Sequence, residues 1–198
     1  FKINSIPIII RILKKINDID PRPTIVIKKE FIKLFSKNLK KYNISTEIIF
    51  QNQSLGMGNA VLQYNKSKKK DKYDDILLIW GDIPFIQKST IKKLIKFHYD
   101  NNNHLSLVTR FVKNPYTLVI RDKNNQIISV NETKNNKKYQ KNFGEREIGV
   151  FLFNRKIIFK FLKKKLSNKI KKKEHGFLYI IKHLVKNGYK VNALPIAK

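Results

Sequence analysis

The sequence predicts a layered α/β fold, and three observations carry that expectation. Segments of strand character alternate with segments of helical periodicity through the first half of the chain. The uncharged apolar run Ile76-Leu77-Leu78-Ile79-Trp80 reads as a central strand buried on both faces. From Leu105 the texture changes to short β segments, so antiparallel pieces are added to repeated strand-helix units. At 198 residues the chain suits one domain, 1–198, with a substantial core and room for a small added lobe.

The elements follow in order. Residues 6–16 carry apolar side chains at helical spacing, with Pro7 at a tolerated first-turn position. Asp20-Pro21-Arg22-Pro23 breaks that helix, and Thr24-Ile25-Val26-Ile27 continues as a strand. An amphipathic helix over 29–42 is predicted from Phe31, Leu34, Phe35 and Leu39. Residues 47–50 form a strand ending near Gln51, and 58–64 a short helix behind a glycine-bearing loop. Strand 76–80 leads to a helix over 89–99, N-capped by Ser89 or its neighbour. Short strands follow at 105–112, 117–121 and 126–130, the last two joined by the polar turn Asp122-Lys123-Asn124-Asn125. A strand at 149–153 precedes helices at 155–162 and 177–186, the second closed by Asn187-Gly188. Strand 189–194 ends the series. No internal repeat is visible.

Composition narrows the function classes. The chain has no cysteine, which removes disulfides, thiolate metal sites and a cysteine nucleophile. No apolar run approaches the roughly 20 residues that span a bilayer. The start, Phe1-Lys2-Ile3-Asn4, has neither an initiator Met nor a signal-peptide pattern, so a cytoplasmic protein or a fragment of one is expected. The formal charge of +29 points toward polyanions. Yet only 6 of the 43 basic residues are Arg and the other 37 are Lys, spread over every helix and loop with abundant Ile and Asn. Base readout and phosphate forks favour Arg. Specific nucleic-acid binding therefore ranks below an enzymatic role, and Lys68-Lys69-Lys70 and Lys171-Lys172-Lys173 read as loop clusters.

Chemistry concentrates at two places. The run at 76–80 ends in Gly81-Asp82-Ile83-Pro84, and in open α/β sheets ligands sit beyond the carboxyl ends of the strands. With 14 acids against 43 bases, Asp82 reads either as a metal or substrate ligand or as a turn residue capping the next helix. The second place is Gln51-Asn52-Gln53-Ser54-Leu55-Gly56-Met57-Gly58-Asn59-Ala60, where paired glycines let backbone approach a ligand at a helix start. Alone that loop is also an ordinary strand-to-helix turn.

Order and spacing add a resemblance. Loop 51–60, the Gly81-Asp82-Ile83-Pro84 unit, a hairpin ending in Glu132, and Glu145-Arg146-Glu147-Ile148-Gly149-Val150 together resemble the sugar-1-phosphate nucleotidyltransferases. The likeness is strongest to the uridylyltransferase domain of bacterial N-acetylglucosamine-1-phosphate uridylyltransferases, over almost the whole chain. It implies a three-layer Rossmann-like (GT-A-like) fold with a mixed, mostly parallel sheet and an added antiparallel hairpin region. It implies UTP and a sugar-1-phosphate as partners, magnesium as cofactor, and pyrophosphate as product. Gln51 and Gly56 match residues that contact uracil. Trp80-Gly81-Asp82 is similar to the family's Tyr-Gly-Asp, whose Asp binds magnesium. Glu132, in Val130-Asn131-Glu132-Thr133-Lys134, looks like the Glu that contacts the sugar phosphate.

Departures accompany the match. Met57 stands where the family has a nucleotide-contacting threonine, and Glu147 where it has an asparagine contacting the amino sugar. The segment at Asn114-Pro115-Tyr116-Thr117 is shortened relative to a glycine-bearing turn. The glycine-rich triphosphate loop is expected before Phe1, and a second magnesium ligand, an Asn, after Lys198. The expected alternative is a catalytically degenerate binding or regulatory module of the same fold. Glu147 close to Glu132 would change sugar preference, with Lys134 available to separate the two charges. His98, His104, His175 and His183 share no ligand spacing. Tyr116, Tyr139 and Tyr179 are read as core aromatics before base-stacking ones, and Glu174 as a helix-dipole partner. No serine lies in a nucleophile-elbow pattern. Oligomeric state, base and sugar stay open.

Overall fold

The computed structural model describes residues 2–53, 55–133, 140–167 and 176–196. The backbone divides into two compact units. One comprises Phe1–Tyr73, Gly81–Lys88 and Lys165–Gly176, the other Asp74–Trp80, Ser89–Lys164 and Phe177–Lys198.

In the first unit β1 (Lys2–Ile3) pairs antiparallel with β2 (Ile6–Pro7), and α1 (Ile8–Ile16) follows directly. The helix predicted from residue 6 starts two residues later because Ile6 and Pro7 are held in that pair. β3 (Thr24–Ile27) and, after a 3-10 turn (Lys29–Phe31) and α2 (Ile32–Lys41), β4 (Glu47–Phe50) form a parallel pair. Both strands match their predicted bounds, and the helix predicted over 29–42 is split by the tighter first turn. Ile10, Leu13, Ile25, Ile27 and Leu39 build the core. Phe31 and Leu34, predicted on the apolar face of α2, are 45% and 60% exposed. α3 (Met57–Gln63) follows in this unit and runs on into a 3-10 turn (Tyr64–Lys66).

A carboxylate ties this unit's loops to its strands. Glu47 accepts hydrogen bonds from Thr24 Oγ1 (2.9 Å), Ser67 Oγ and the Lys68 backbone N–H (2.8 Å). Burial pushes its carboxyl up, but these donors outweigh burial and hold it below the usual carboxylate range.

The second unit holds β5 (Asp75–Ile79), most of α4 (Lys88–Asp100), β6 (Leu105–Lys113), β7 (Thr117–Arg121), β8 (Ile127–Glu132), β9 (Phe143–Asn154), most of α5 (Arg155–Ser167), α6 (Tyr179–Lys186) and β10 (Val191–Pro195). Its four-stranded sheet has the order β10-β6-β9-β5. β10 is parallel to β6, and β9 is antiparallel to both β6 and β5, so β5, β6 and β10 run one way. β7 and β8 form the predicted antiparallel hairpin, its turn held by Asp122 Oδ1 on the N–H groups of Asn124 (2.9 Å) and Gln126 (2.8 Å). This is the mixed α/β architecture expected. Ile91 and Leu94 of α4, Ile158 and Leu162 of α5, and Ile180 and Leu184 of α6 are fully buried.

Two strands of this sheet depart most from expectation. β5 is the edge of its sheet rather than a central strand, and it is half-buried along its length. An apolar run reports burial, but not which strands flank it. β9 extends over 143–154 where 149–153 was predicted, because Glu145, Arg146 and Glu147 hide the strand from an apolar-pattern reading. The buried Glu145 is held by Arg121, with Nε–Oε2 and Nη2–Oε1 both 2.8 Å, and by Thr109 Oγ1 at 2.6 Å. This fork of bonds to Glu145 raises the Arg121 guanidinium further.

Candidate active site

In the first unit, Gln51 leaves β4 with its N–H on the Ile27 carbonyl (2.9 Å). Its Nε2 donates to the Gly56 carbonyl (3.2 Å) and to Asn59 Oδ1 (3.0 Å), folding the 51–60 loop back on itself. Gly56 turns the chain into α3 at φ +87°, a conformation that favours glycine. Met57, half-buried, is the first residue of α3. Ser54 lies outside the described residues.

Asp82 sits in the loop beyond β5 and is exposed. Among the described residues no side chain or backbone group bonds its carboxylate. It lines a mostly apolar cavity of about 230 Å³ between α1 and α2, together with Gly81. A Cβ added to Gly81 would meet nothing within 4 Å, so bare backbone faces open space there. The loop itself is pinned. Lys15 Nζ donates to the Ile86 carbonyl (2.7 Å) and the Pro84 carbonyl (3.4 Å), and Lys88 pairs with Asp18. Ile86 is buried while Phe85 is 68% exposed. The capping role weighed for Asp82 does not appear, since α4 begins six positions later, at Lys88.

In the second unit the predicted residues gather around β9. Trp80 continues the β5–β9 pairing by donating its N–H to the Gly149 carbonyl (2.9 Å). Gly149 has φ +76°, and a Cβ added there would lie 2.8 Å from two atoms of the Trp80 indole. Glu147 is fully buried. Its Oε2 accepts the Gly149 N–H at 2.6 Å and its Oε1 accepts the Thr117 hydroxyl at 3.2 Å. Glu132 is exposed and lies opposite Thr117 in the hairpin register. Thr117 thereby neighbours both acids, and Glu147 acts inward while Glu132 faces solvent.

The remaining candidates take structural positions. His98 Nδ1 meets Ser106 Oγ at 2.9 Å, and burial lowers its pKa against the opposing pull of Asp75. His104 Nδ1 accepts the Lys190 N–H (3.0 Å), and His183 packs edge-on against Tyr179. Burial pushes the Tyr179 hydroxyl up to about 12. The Tyr116 ring lies under the Arg146 guanidinium at 4.1 Å. Lys134, Tyr139, Lys171, Lys172, Lys173, Glu174 and His175 lie outside the described residues. Among the described residues no three His, Cys, Asp or Glu side chains cluster as a metal cage, and no helix is long and apolar enough to cross a membrane. Sequence reasoning gave no role to Lys15, and none of their own to Thr117 and Gly149 within the segments it singled out. The partners of Lys15 lie 69 and 71 residues away, and nothing local marks that link.

Comparison with known proteins sets this geometry in context. The profile of the family described as Nucleotidyl transferase matches residues 2–197. The Bifunctional protein GlmU of Clostridium tetani is 32% identical over 160 residues, covering 80% of this chain and 35% of that protein. Its counterpart in Buchnera aphidicola subsp. Acyrthosiphon pisum is 33% identical over 165 residues, covering 82% and 34%. The chain thus spans about a third of the length of these relatives. The solved structure of 4-diphosphocytidyl-2C-methyl-D-erythritolsynthase from Anaerococcus prevotii matches with a TM-score of 0.70. That match covers 100% of this chain and 83% of the other at 14% identity, a likeness of fold alone.

Proposed function

Because the chain belongs to the nucleotidyl transferase family, we propose that it serves transfer of a nucleotidyl group from UTP to a sugar-1-phosphate, N-acetylglucosamine-1-phosphate or a close relative, with release of pyrophosphate. One observation supports this above the others. Asp82, in a loop braced by Lys15, is an exposed carboxylate with no protein partner among the described residues, beside the open backbone of Gly81.

The residues divide the work. A sugar-1-phosphate oxygen attacks the α-phosphorus in line, a new P–O bond forms, and the bond to the departing pyrophosphate breaks. Such transfer depends on positioning and charge stabilisation, without a covalent enzyme intermediate. Gln51 keeps its loop closed through Nε2 and offers Oε1 to a base N–H. Gly56 lets backbone approach the base, Met57 supplies apolar contact, and Trp80 and Gly81 flank the nucleotide. In this reading Glu132 accepts from sugar hydroxyls.

The donor set at Asp82 suits magnesium, which takes one or two carboxylates and completes its shell with water and substrate phosphates. A single free carboxylate fits that pattern and not a closed protein cage. When bound through Asp82, magnesium supplies neutralisation of the phosphate charges. We place this activity in the cytoplasm with small-molecule partners.

Met57 without a hydroxyl and the inward-turned Glu147 favour a second reading, a nucleotide-sugar-binding or regulatory module that retains the fold without turnover. One experiment separates the two. The full-length protein is screened with each nucleoside triphosphate against several sugar-1-phosphates, and pyrophosphate is measured. Magnesium-dependent release, greatest with UTP and lost in Asp82→Ala, supports the enzyme. Nucleotide binding with no release from any pair supports the module.

A further inference from the structure

We infer that Glu147 is a positioning residue that sets the Trp80 indole through Gly149, and does not itself face the sugar. The inference deepens the proposed function, since it rests on Trp80-Gly81-Asp82 serving the nucleotide.

The geometry is a short relay on one strand. Glu147 Oε2 takes the Gly149 N–H at 2.6 Å, a charge-assisted bond in a fully buried setting. The Gly149 that donates this bond stands at φ +76°, with its Cα facing the indole. The same residue presents its carbonyl to the Trp80 N–H at 2.9 Å. The indole lies so close to Gly149 that any Cβ would meet its Cγ and Cδ2 at 2.8 Å. The indole also tilts against Phe151, with ring centroids 6.0 Å apart. The indole Nε1 is buried and has no hydrogen-bond partner among the described residues. The ring's direction is thus set by packing and by the Gly149 backbone, and the Gly149 backbone is set by Glu147. Thr117, bonded to the other carboxylate oxygen, fixes the acid from the hairpin side.

An asparagine side chain is one methylene shorter, yet its oxygen is also an acceptor for a backbone N–H. The carboxylate makes that same bond stronger and adds the Thr117 contact. Removing the acceptor frees a buried N–H at a glycine that no other side chain can replace.

Trp80 is the sole tryptophan of the chain, so its fluorescence reads this relay directly. The experiment compares the full-length native protein with Glu147→Gln, which keeps an acceptor, and Glu147→Met, which keeps the length without one. In Glu147→Met the Trp80 emission shifts to the red and acrylamide quenches it more steeply, while Glu147→Gln stays near native. Magnesium–UTP affinity then weakens about tenfold in Glu147→Met, because binding must re-order the loosened indole. Trp80 emission identical in folded native and Glu147→Met proteins overturns the inference. A shifted emission with unchanged UTP affinity supports the relay and removes Trp80 from the nucleotide site, so failure of the functional reading is distinguished. If Glu147→Met does not fold, the native protein decides. A downfield, exchange-protected Gly149 amide is expected, and a fast-exchanging one overturns the relay.

Discussion

Asp82 and Glu147 are acids in a lysine-rich chain, and they stand at opposite extremes. Asp82 is exposed in a pinned loop with no bond to a described residue, and the glycine before it adjoins open space. Glu147 is buried, with one oxygen on a backbone N–H and the other on a hydroxyl, and the glycine two places on is crowded by an indole. An acid left free at a rigid loop is available to a cation or a ligand. An acid fully engaged inside is part of the frame. Function and stability should therefore part company at these two positions.

Replacing Asp82 is the sharpest way to break the contrast. Asp82→Ala in the full-length protein should lower magnesium-dependent pyrophosphate release about a thousandfold or more, with the melting temperature unchanged. Comparable turnover in that variant would remove Asp82 from its role. Glu147→Ala should do the reverse in kind, destabilising by about 3 kcal/mol because two buried donors lose their acceptor and a cavity remains. Urea unfolding midpoints at constant m-value read this directly. A cost under about 0.5 kcal/mol, the ordinary surface range, would show that Glu147 is not frame.

The two glycines sharpen the same contrast. Gly149→Ala should cost about 2 kcal/mol, combining a left-handed backbone with the indole contact, whereas Gly81→Ala should stay within about 0.5 kcal/mol. Equal costs at the two sites would contradict the crowding seen at Gly149 alone. The smallest effect belongs to an intermediate acid. Glu47 is partly buried and held by Thr24, Ser67 and Lys68 N–H, with its pKa lowered on balance. A depressed folded pKa means that its stabilisation is present above the unfolded value and is lost as pH falls through the folded one. Stability should decline through the acid range in the native protein and decline less in Glu47→Gln. A steeper acid decline in the variant would reverse the sign.

Much of the frame was legible because local pattern governs it. Thr24–Ile27, Glu47–Phe50 and Thr117–Arg121 were readable from apolar strand runs and their turn neighbours. The Gly81-Asp82-Ile83-Pro84 unit declared its loop through chain-breaking residues after an apolar run. The first half of β9 was illegible, since Glu145, Arg146 and Glu147 look like surface until Arg121, Thr109 and Thr117 are brought to them. The edge position of β5 was hidden for a similar reason, because strand order is a property of partners and not of the run itself. At the candidate site, the position of Asp82 in a loop beyond a strand could be read from the sequence. The engaged acid, Glu147, was also singled out there, but its bond to the Gly149 N–H was not, because that bond depends on a positive φ that the surrounding pattern does not announce.

The most direct measurement substitutes Mn²⁺ for magnesium and follows paramagnetic broadening of backbone resonances in the full-length protein with UTP present. Broadening centred on Gly81 and Asp82, and abolished in Asp82→Asn while the spectrum remains that of a folded protein, is the predicted result. Broadening that is unchanged in Asp82→Asn, or that centres elsewhere, would contradict the assignment of Asp82 as the acid that meets the metal and the nucleotide.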